Sequence, residues 1–269
     1  MQKGQVAKRF NRSAVTYDQY ALVQKEMARR LLFTLQTLDL KAEKILELGC
    51  GTGYFTRLLL DHYPASEVTA VDLAEKMVET ARQKTEPSDR VRFFVGDAEN
   101  LDRSSLGTFD LIVSNAMIQW LARPSEALSG WASLLKPNGW LVASTFGPDT
   151  FQELRSLFQR VEEEMGLEPK PHVISMRTPG EWQRLFHESA YREVDYLEYR
   201  HRAEYRDCRD FLKSVKATGA SYNEAELNLL TSSRVLLRVM DAYNRIYRSG
   251  SGVSATYHLV EIRGRKRAE

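Results

Sequence analysis

The chain is predicted to fold as an α/β protein, a mostly parallel sheet of seven strands covered by helices. Three observations carry that prediction. The run Lys44-Ile45-Leu46-Glu47-Leu48 ends in glycines at alternate positions, Gly49, Gly51 and Gly53, and a helical pattern with Phe55, Leu58, Leu59 and Leu60 follows. Strand-like and helical runs then alternate at short spacing through residue 146, the pattern of a parallel sheet with right-handed crossovers. Finally, about forty residues separate the last two strand-like runs, too many for a plain connector in a compact domain.

Composition agrees. At 269 residues, 43% hydrophobic and 28% charged, the chain can bury a sizeable core. A net charge of +2 is too small to imply nucleic acid. No apolar run approaches the roughly 20 residues of a membrane span, and the N-terminus lacks the apolar core of a signal peptide. Cys50 and Cys208 make neither a disulfide framework nor a metal quartet, so the expectation is a cytoplasmic, reducing setting with no metal.

Taken in order, residues 1–40 precede the first strand. Tyr17-Asp18 leads into a helical run with Leu22, Met27, Leu31, Leu32 and Leu35 at three- and four-residue spacings. After the first strand, the glycines let the backbone approach a ligand closely. A second strand at 68–71 ends in Asp72, well placed to accept from two ribose hydroxyls, and Leu73 to Met77 opens the next helix. A third strand, Val91–Val95, runs into Gly96-Asp97-Ala98-Glu99, a carboxylate-bearing turn at the edge where open α/β sheets bind ligands. The fourth, 109–113, is followed by Ser114-Asn115-Ala116-Met117-Ile118-Gln119-Trp120 at the same edge. Residues 124–135 read as a helix, Lys136-Pro137-Asn138-Gly139 as a turn and 140–146 as the fifth strand. A helix near 149–165 and a loop at 168–172 precede a helix opening at Thr178. There Glu181 completes a capping box and Pro179 suits the first turn. Tyr191–Tyr205 alternates as a sixth strand, 206–247 is mostly helical, and 256–262 closes as the seventh.

The glycine pattern selects among nucleotide ligands. A dinucleotide fingerprint, G-x-G-x-x-G, would need its third glycine where Tyr54 stands, and Glu47 would repel a pyrophosphate. Glu47-x-Gly49-x-Gly51-x-Gly53, with Asp72 and the Leu134-to-Trp140 segment L-L-K-P-N-G-W, instead resembles the class I S-adenosylmethionine-dependent methyltransferases. The resemblance implies a Rossmann-like sheet of seven strands, the last antiparallel. It implies a helical lid over 1–40, a core over 41–205, a helical substrate-binding insertion over 206–252 and a final core strand over 253–269. S-adenosylmethionine is the implied methyl donor. Its implied contacts are Glu47, Gly49, Gly51 and Gly53 at the turn, Asp72 on the ribose, and Leu73 and Met77 beside the adenine. Asp97 and Ala98 are implied at the adenine amino group and ring, Asn115 at the pocket turn, and Tyr17 and Gln24 from the lid. For Met77 a plain helix-core role reads equally well.

A closer resemblance extends over nearly the whole chain. V-A-K-R-F-N-R-S-A-V-T-Y-D (6–18) with Gln24, S-N-A-M-I-Q-W (114–120), L-K-S-V-K-A-T-G-A (212–220) and T-Y-H-L-V (256–260) look like the malonyl-acyl-carrier-protein O-methyltransferases of biotin synthesis. Asn138, Met117, Ile118 and Thr218 depart from the usual pattern without removing a group the reaction needs. The implied reaction methylates the carboxylate of malonyl-acyl carrier protein, or malonyl-CoA. A carboxylate is already ionised at neutral pH, so positioning rather than a strong base would supply most of the acceleration. Candidates on the acceptor side are Asn115, Gln119, Trp120, Lys213 and Lys216. The two lysines share a helix face and read equally as a solvated stripe; Trp120 reads equally as packing. His172, His187, His201 and His258 are not spaced as a metal set and read as surface or core. Lys3, Lys8, Arg9, Arg12, Arg234 and Arg238 could steer an acidic carrier protein. The rival readings are a quinone C-methyltransferase, a methyltransferase of free dicarboxylates, and a non-catalytic cofactor-binding protein.

Overall fold

The computed structural model describes residues 3–85, 88–219 and 229–267. Ala220 and residues 221–228 of the expected insertion lie outside them. The sheet is built from β1 (Lys44–Leu48), β2 (Glu67–Asp72), β3 (Val91–Val95), β4 (Phe109–Asn115), β5 (Leu135–Phe146), β6 (Tyr191–Tyr205), β7 (Arg248–Ser249) and β8 (Gly252–Lys266). Their order is β3-β2-β1-β4-β5-β8-β6, with β7 a two-residue addition to β8. β1 to β5 pair in parallel, and β8 runs antiparallel to both β5 and β6. The chain builds outward from β1 to β3, then returns to set β4 on the other side of β1. That reversal opens a crevice beyond the carboxyl ends of β1 and β4, the ligand position of open α/β sheets.

Both faces of the central strands are buried, as parallel strands require, and their side chains divide by the period of two. Ile45, Ala70, Leu111, Val113 and Val142 pack with Leu31 and Leu35 of α3 (Leu22–Thr37) and Phe55 and Leu59 of α4 (Tyr54–His62). Leu46, Val71, Ile112, Leu141 and Ala143 pack on the opposite face. Their partners are Leu128 and Trp131 of α7 (Pro124–Leu134) and Trp182 and Phe186 of α9 (Pro179–Glu188). α5 (Glu75–Lys84) and the short α6 (Arg103–Leu106) complete the connections within the first half. A third cluster joins α8 (Gln152–Glu164), α10 (Cys208–Ala217) and α11 (Leu229–Ile246) over β8, through Leu157, Phe158, Phe211, Val239 and Tyr243. Two further helices, α1 (Lys3–Ser13) and α2 (Tyr17–Tyr20), lie before α3.

Several local expectations need correction. Leu22 is 67% exposed, and the buried stripe of α3 is Val23, Met27, Leu31 and Leu35, a strict four-residue spacing one position out of phase with it. Lys136 to Gly139 do not leave the sheet: β5 starts at Leu135 and is irregular against β4 between Phe109 and Leu111. Asn138 takes φ 64 there, a conformation its short polar side chain tolerates better than most. The final strand is also longer than its apolar centre, because β6 pairs with it from Val253 to Lys266. The capping box at Thr178 forms with both of its hydrogen bonds. No helix among the described residues is long and apolar enough to cross a membrane.

Candidate active site

The glycine turn after β1 lies in the crevice. Gly49, Gly51 and Gly53 all have positive φ, at 78, 54 and 81°. A Cβ on Gly49 would sit 2.6 Å from the Met117 side chain, whereas one on Gly51 would project into open space. Asp72, at the end of β2, ties the turn together: Oδ2 accepts from the Gly51 amide at 2.9 Å and Oδ1 from the Ala74 amide at 2.8 Å. Burial raises the Asp72 carboxyl above the usual carboxylate range, and these amides oppose the rise. Each oxygen keeps acceptor capacity for a ligand hydroxyl.

Around this turn is a cavity of about 100 Å³, lined by Gly49, Gly51, Asp72, Leu73, Met77, Asp97, Ala98 and Asn115 of the expected set, with Tyr17 from the N-terminal segment. Tyr17 stands beside Asp72, and burial, then the charges of Asp72 and Asp18, push its hydroxyl well above its ordinary value. Three members of the set stand elsewhere. Glu47 is fully buried behind the turn and accepts from the Thr56 hydroxyl of α4 at 2.6 Å. Burial pushes its carboxyl up to about 8, against the pull of that hydrogen bond. Gly53 starts α4, where a Cβ would lie 3.1 Å from Ala81, so its role in the fold is close helix packing. Gln24 lines a second cavity.

That second cavity, of about 500 Å³, shares Phe10, Tyr17, Ala116 and Trp120 with the first. Its remaining wall is mostly apolar and aromatic, including Phe146, Phe151, Phe158, Val215 and Leu236. Gln119 and Trp120 of the expected acceptor set line it, as does Lys216. Gln119 is engaged at both ends, by the Ala116 carbonyl at 2.7 Å and the Thr145 hydroxyl at 2.9 Å. Asn115 links α3 to the sheet, donating to the Gln24 carbonyl at 3.1 Å and accepting from Ser144 at 2.7 Å. Trp120 meets Phe10 edge-on at 5.8 Å between ring centroids. Lys213 is not in the wall; its ammonium lies 5.6 Å from the Tyr20 ring centre, and a hydrogen bond to Tyr20 raises it.

The N-terminal segment borders the first cavity through Lys3, Val6, Phe10 and Tyr17. Lys3 pairs with Asp97 at 2.6 Å and with Glu99, and Asp18 pairs with Lys84 while accepting from Thr52 at 2.6 Å. Burial would raise the Asp97 carboxyl, but the hydrogen bond from Lys3 and other donors hold it below its ordinary value. Sequence reasoning gave Lys3 a steering role and missed this contact, which depends on how α1 crosses the crevice. It also missed His172 on the wall of the second cavity; the prolines on either side of Lys170 marked only a loop.

The residues fit S-adenosylmethionine: an acid braced by two backbone amides, the left-handed Gly49 and Gly51 on the cavity wall, Met77 and Leu73 as apolar walls, and Asp97 as an acceptor. At about 100 Å³ the inner cavity is below the roughly 300–1,000 Å³ usual for small-molecule sites, while the two contiguous cavities together fall within it.

Comparison with known proteins matches the geometry. Residues 46–143 match the methyltransferase domain family. The chain is 36% identical to the malonyl-[acyl-carrier protein] O-methyltransferase of Paenibacillus sp. (strain JDR-2), over 97% of this chain and 98% of that one. It is 39% identical to the protein of the same name from Bacillus cytotoxicus, over 97% and 93%. The chain belongs to the class I S-adenosylmethionine-dependent methyltransferases, in the family of these relatives. Among solved structures, the YcgJ protein of Bacillus subtilis shares the fold, with a TM-score of 0.62 and 17% identity over 90% of this chain and 100% of that one. A Haemonchus contortus phosphoethanolamine N-methyltransferase 2, solved with S-adenosyl-L-methionine, also shares the fold, with a TM-score of 0.54 and 14% identity over 90% of this chain and 53% of that one. This methyltransferase therefore uses S-adenosylmethionine as methyl donor.

Proposed function

We propose that this methyltransferase methylates the free carboxylate of a malonyl thioester carried on acyl carrier protein, an early step of biotin synthesis. The observation that carries the reading is the extent of the similarity. It covers 97% of the chain, including the helices α10 and α11 that wall the outer cavity, as well as the donor-binding half. Bound S-adenosylmethionine would supply an electrophilic methyl group on a sulfonium.

The chain's own contribution would be to bind, align and dry the reactants. Gly49, Gly51, Asp72, Leu73, Met77, Asp97 and Ala98 would hold the donor. Phe10, Tyr17, Ala116 and Trp120, which border both cavities, would frame the place where donor and acceptor meet. An ionised carboxylate needs no proton removed, so alignment and exclusion of water by an apolar wall suffice in kind. Alignment of this sort can supply on the order of 7–11 kcal/mol. Asn115 and Gln119 would keep the pocket turn in place, and Lys216 would sit at the mouth, available to an anionic substrate. The direct test is to incubate the protein with malonyl-acyl carrier protein and labelled S-adenosylmethionine and weigh the product. The expected product is heavier by one methylene and loses the label on alkaline hydrolysis, as an ester does. An unchanged carrier protein, or an alkali-stable methyl group, would overturn the reading.

A further inference from the structure

We propose that His172, held in place by the buried Glu162, is the residue that binds the acceptor's carboxylate inside the outer cavity. The proposal rests on the acceptor assignment above. His172 lies between α8 and α9 and lines the cavity. Its ring stacks on Phe158, another wall residue, with centroids 3.9 Å apart and planes 15° from parallel. Nε2 lies 2.7 Å from Oε1 of Glu162, whose exposure is 0%. The other Glu162 oxygen accepts from the Lys170 amide at 3.1 Å, so the carboxylate is anchored on both sides. Stacking and hydrogen bond together fix both the plane and the rotation of the imidazole. Nδ1 is then the ring's remaining polar atom, and it has no hydrogen-bond partner among the described residues.

Four other polar side chains of the wall are already committed, and the Gln24 amide, which also lines it, is neutral. Thr150 donates to the His258 carbonyl, Ser214 to the Phe211 carbonyl and Thr218 to the Val215 carbonyl, while Tyr257 shares a hydrogen bond with Tyr205. Lys216 is exposed, where water and salt weaken its pull on an anion. A carboxylate entering an apolar cavity needs a charge-assisted donor to offset its lost hydration. In its charged form His172 provides one at Nδ1. The Glu162 carboxylate pairs with the ring from behind, so that the charged imidazole is not a lone charge before the acceptor arrives, and the bound acceptor shares the ring with it. Glu162 is a positioning residue, acting through His172.

The test separates recognition of the carboxylate from general damage. Wild type, His172→Gln and Glu162→Gln would be titrated with malonyl-S-pantetheine and with butyryl-S-pantetheine, which lacks the carboxylate, in the presence of S-adenosylhomocysteine to prevent turnover. Each variant is expected to bind the malonyl thioester about ten- to hundredfold more weakly, the range for losing a hydrogen bond to a charged group. Binding of the butyryl thioester should change less than about twofold by the same argument, because it makes no such bond. Equal losses on both thioesters, or no loss on the malonyl one, would overturn the proposal. Should His172→Gln fail to fold, Glu162→Gln and His172→Asn carry the same comparison. A wild type that methylates malonyl thioester while the variants keep its binding refutes the role of His172 alone. A wild type that neither prefers nor methylates malonyl thioester refutes the acceptor assignment beneath it.

Discussion

At the scale of single residues, Glu47 departs most from its expected part. The period of two places it with Ile45 on the face that α4 covers, so its carboxyl meets Thr56 instead of the crevice. Burial pushes its pKa from the ordinary 4.5 to about 8. The folded chain therefore keeps a proton that the unfolded chain releases. The resulting stabilisation is complete below about 4.5 and is lost as pH rises toward about 8. Glu47→Gln removes this dependence. Between about pH 5 and about pH 8, wild type should lose roughly 2–4 kcal/mol relative to the variant, at about 1.4 kcal/mol per unit. Urea unfolding midpoints at the two pH values measure it, and a constant gap would show that Glu47 ionises without penalty. Asp72 was easier to read, because an acid at the end of β2 faces the crevice whatever the helices do. Glu47 required knowing which face α4 occupies.

At the scale of elements, α1 and α2 border the inner cavity, the proposed donor site. α1 is amphipathic, burying Val6 and packing Phe10 against Trp120, and Lys3 pairs with Asp97 and Glu99 across the crevice. An inner cavity of about 100 Å³ cannot take in the whole donor until this segment shifts. The Lys3 pairs are part-exposed, so each contributes on the order of 0.2–1 kcal/mol to keeping the segment closed. Lys3→Ala removes both pairs and should therefore speed association of S-adenosylmethionine by about two- to thirtyfold, the factor that their summed energy represents. Stopped-flow tryptophan fluorescence, with Trp120 on the cavity wall, would follow it; an unchanged association rate would show that α1 is no barrier. The sequence displayed the central strands plainly, since their apolar runs are buried on both faces. It displayed α1 only as a lead-in, because a helix that lies across a crevice buries few residues and carries a weak apolar stripe.

For the whole molecule, the donor half and the acceptor half differ in how directly their residues encode them. The proposed donor site is made by the backbone at strand ends, and glycine spacing and terminal acids announce it. The outer cavity is assembled from α1, α8, the 172–176 segment, α10 and α11, elements far apart in the chain, and no local pattern marks which of their side chains converge. The same convergence bears on carrier-protein docking. Lys8 and Arg12 flank Phe10, Lys213 is one turn from Lys216, and Arg234 and Arg238 flank the wall residues Val235 and Leu236; all six cations are exposed. With a net charge of only +2, an attraction for an acidic partner would have to come from such local cations and not from the molecule's overall charge. The KM for malonyl-acyl carrier protein should then rise steeply between about 0.1 M and about 1 M salt, as the screening length falls from about 10 Å to about 3 Å. The KM for malonyl-S-pantetheine, which has no protein surface to steer, should change far less. Lys216→Ala should raise the KM for the carrier-protein substrate at low salt and flatten its salt dependence, with cofactor affinity unaltered. Equal salt dependence for the two substrates would place the attraction at the malonyl group itself and remove these cations from the docking step.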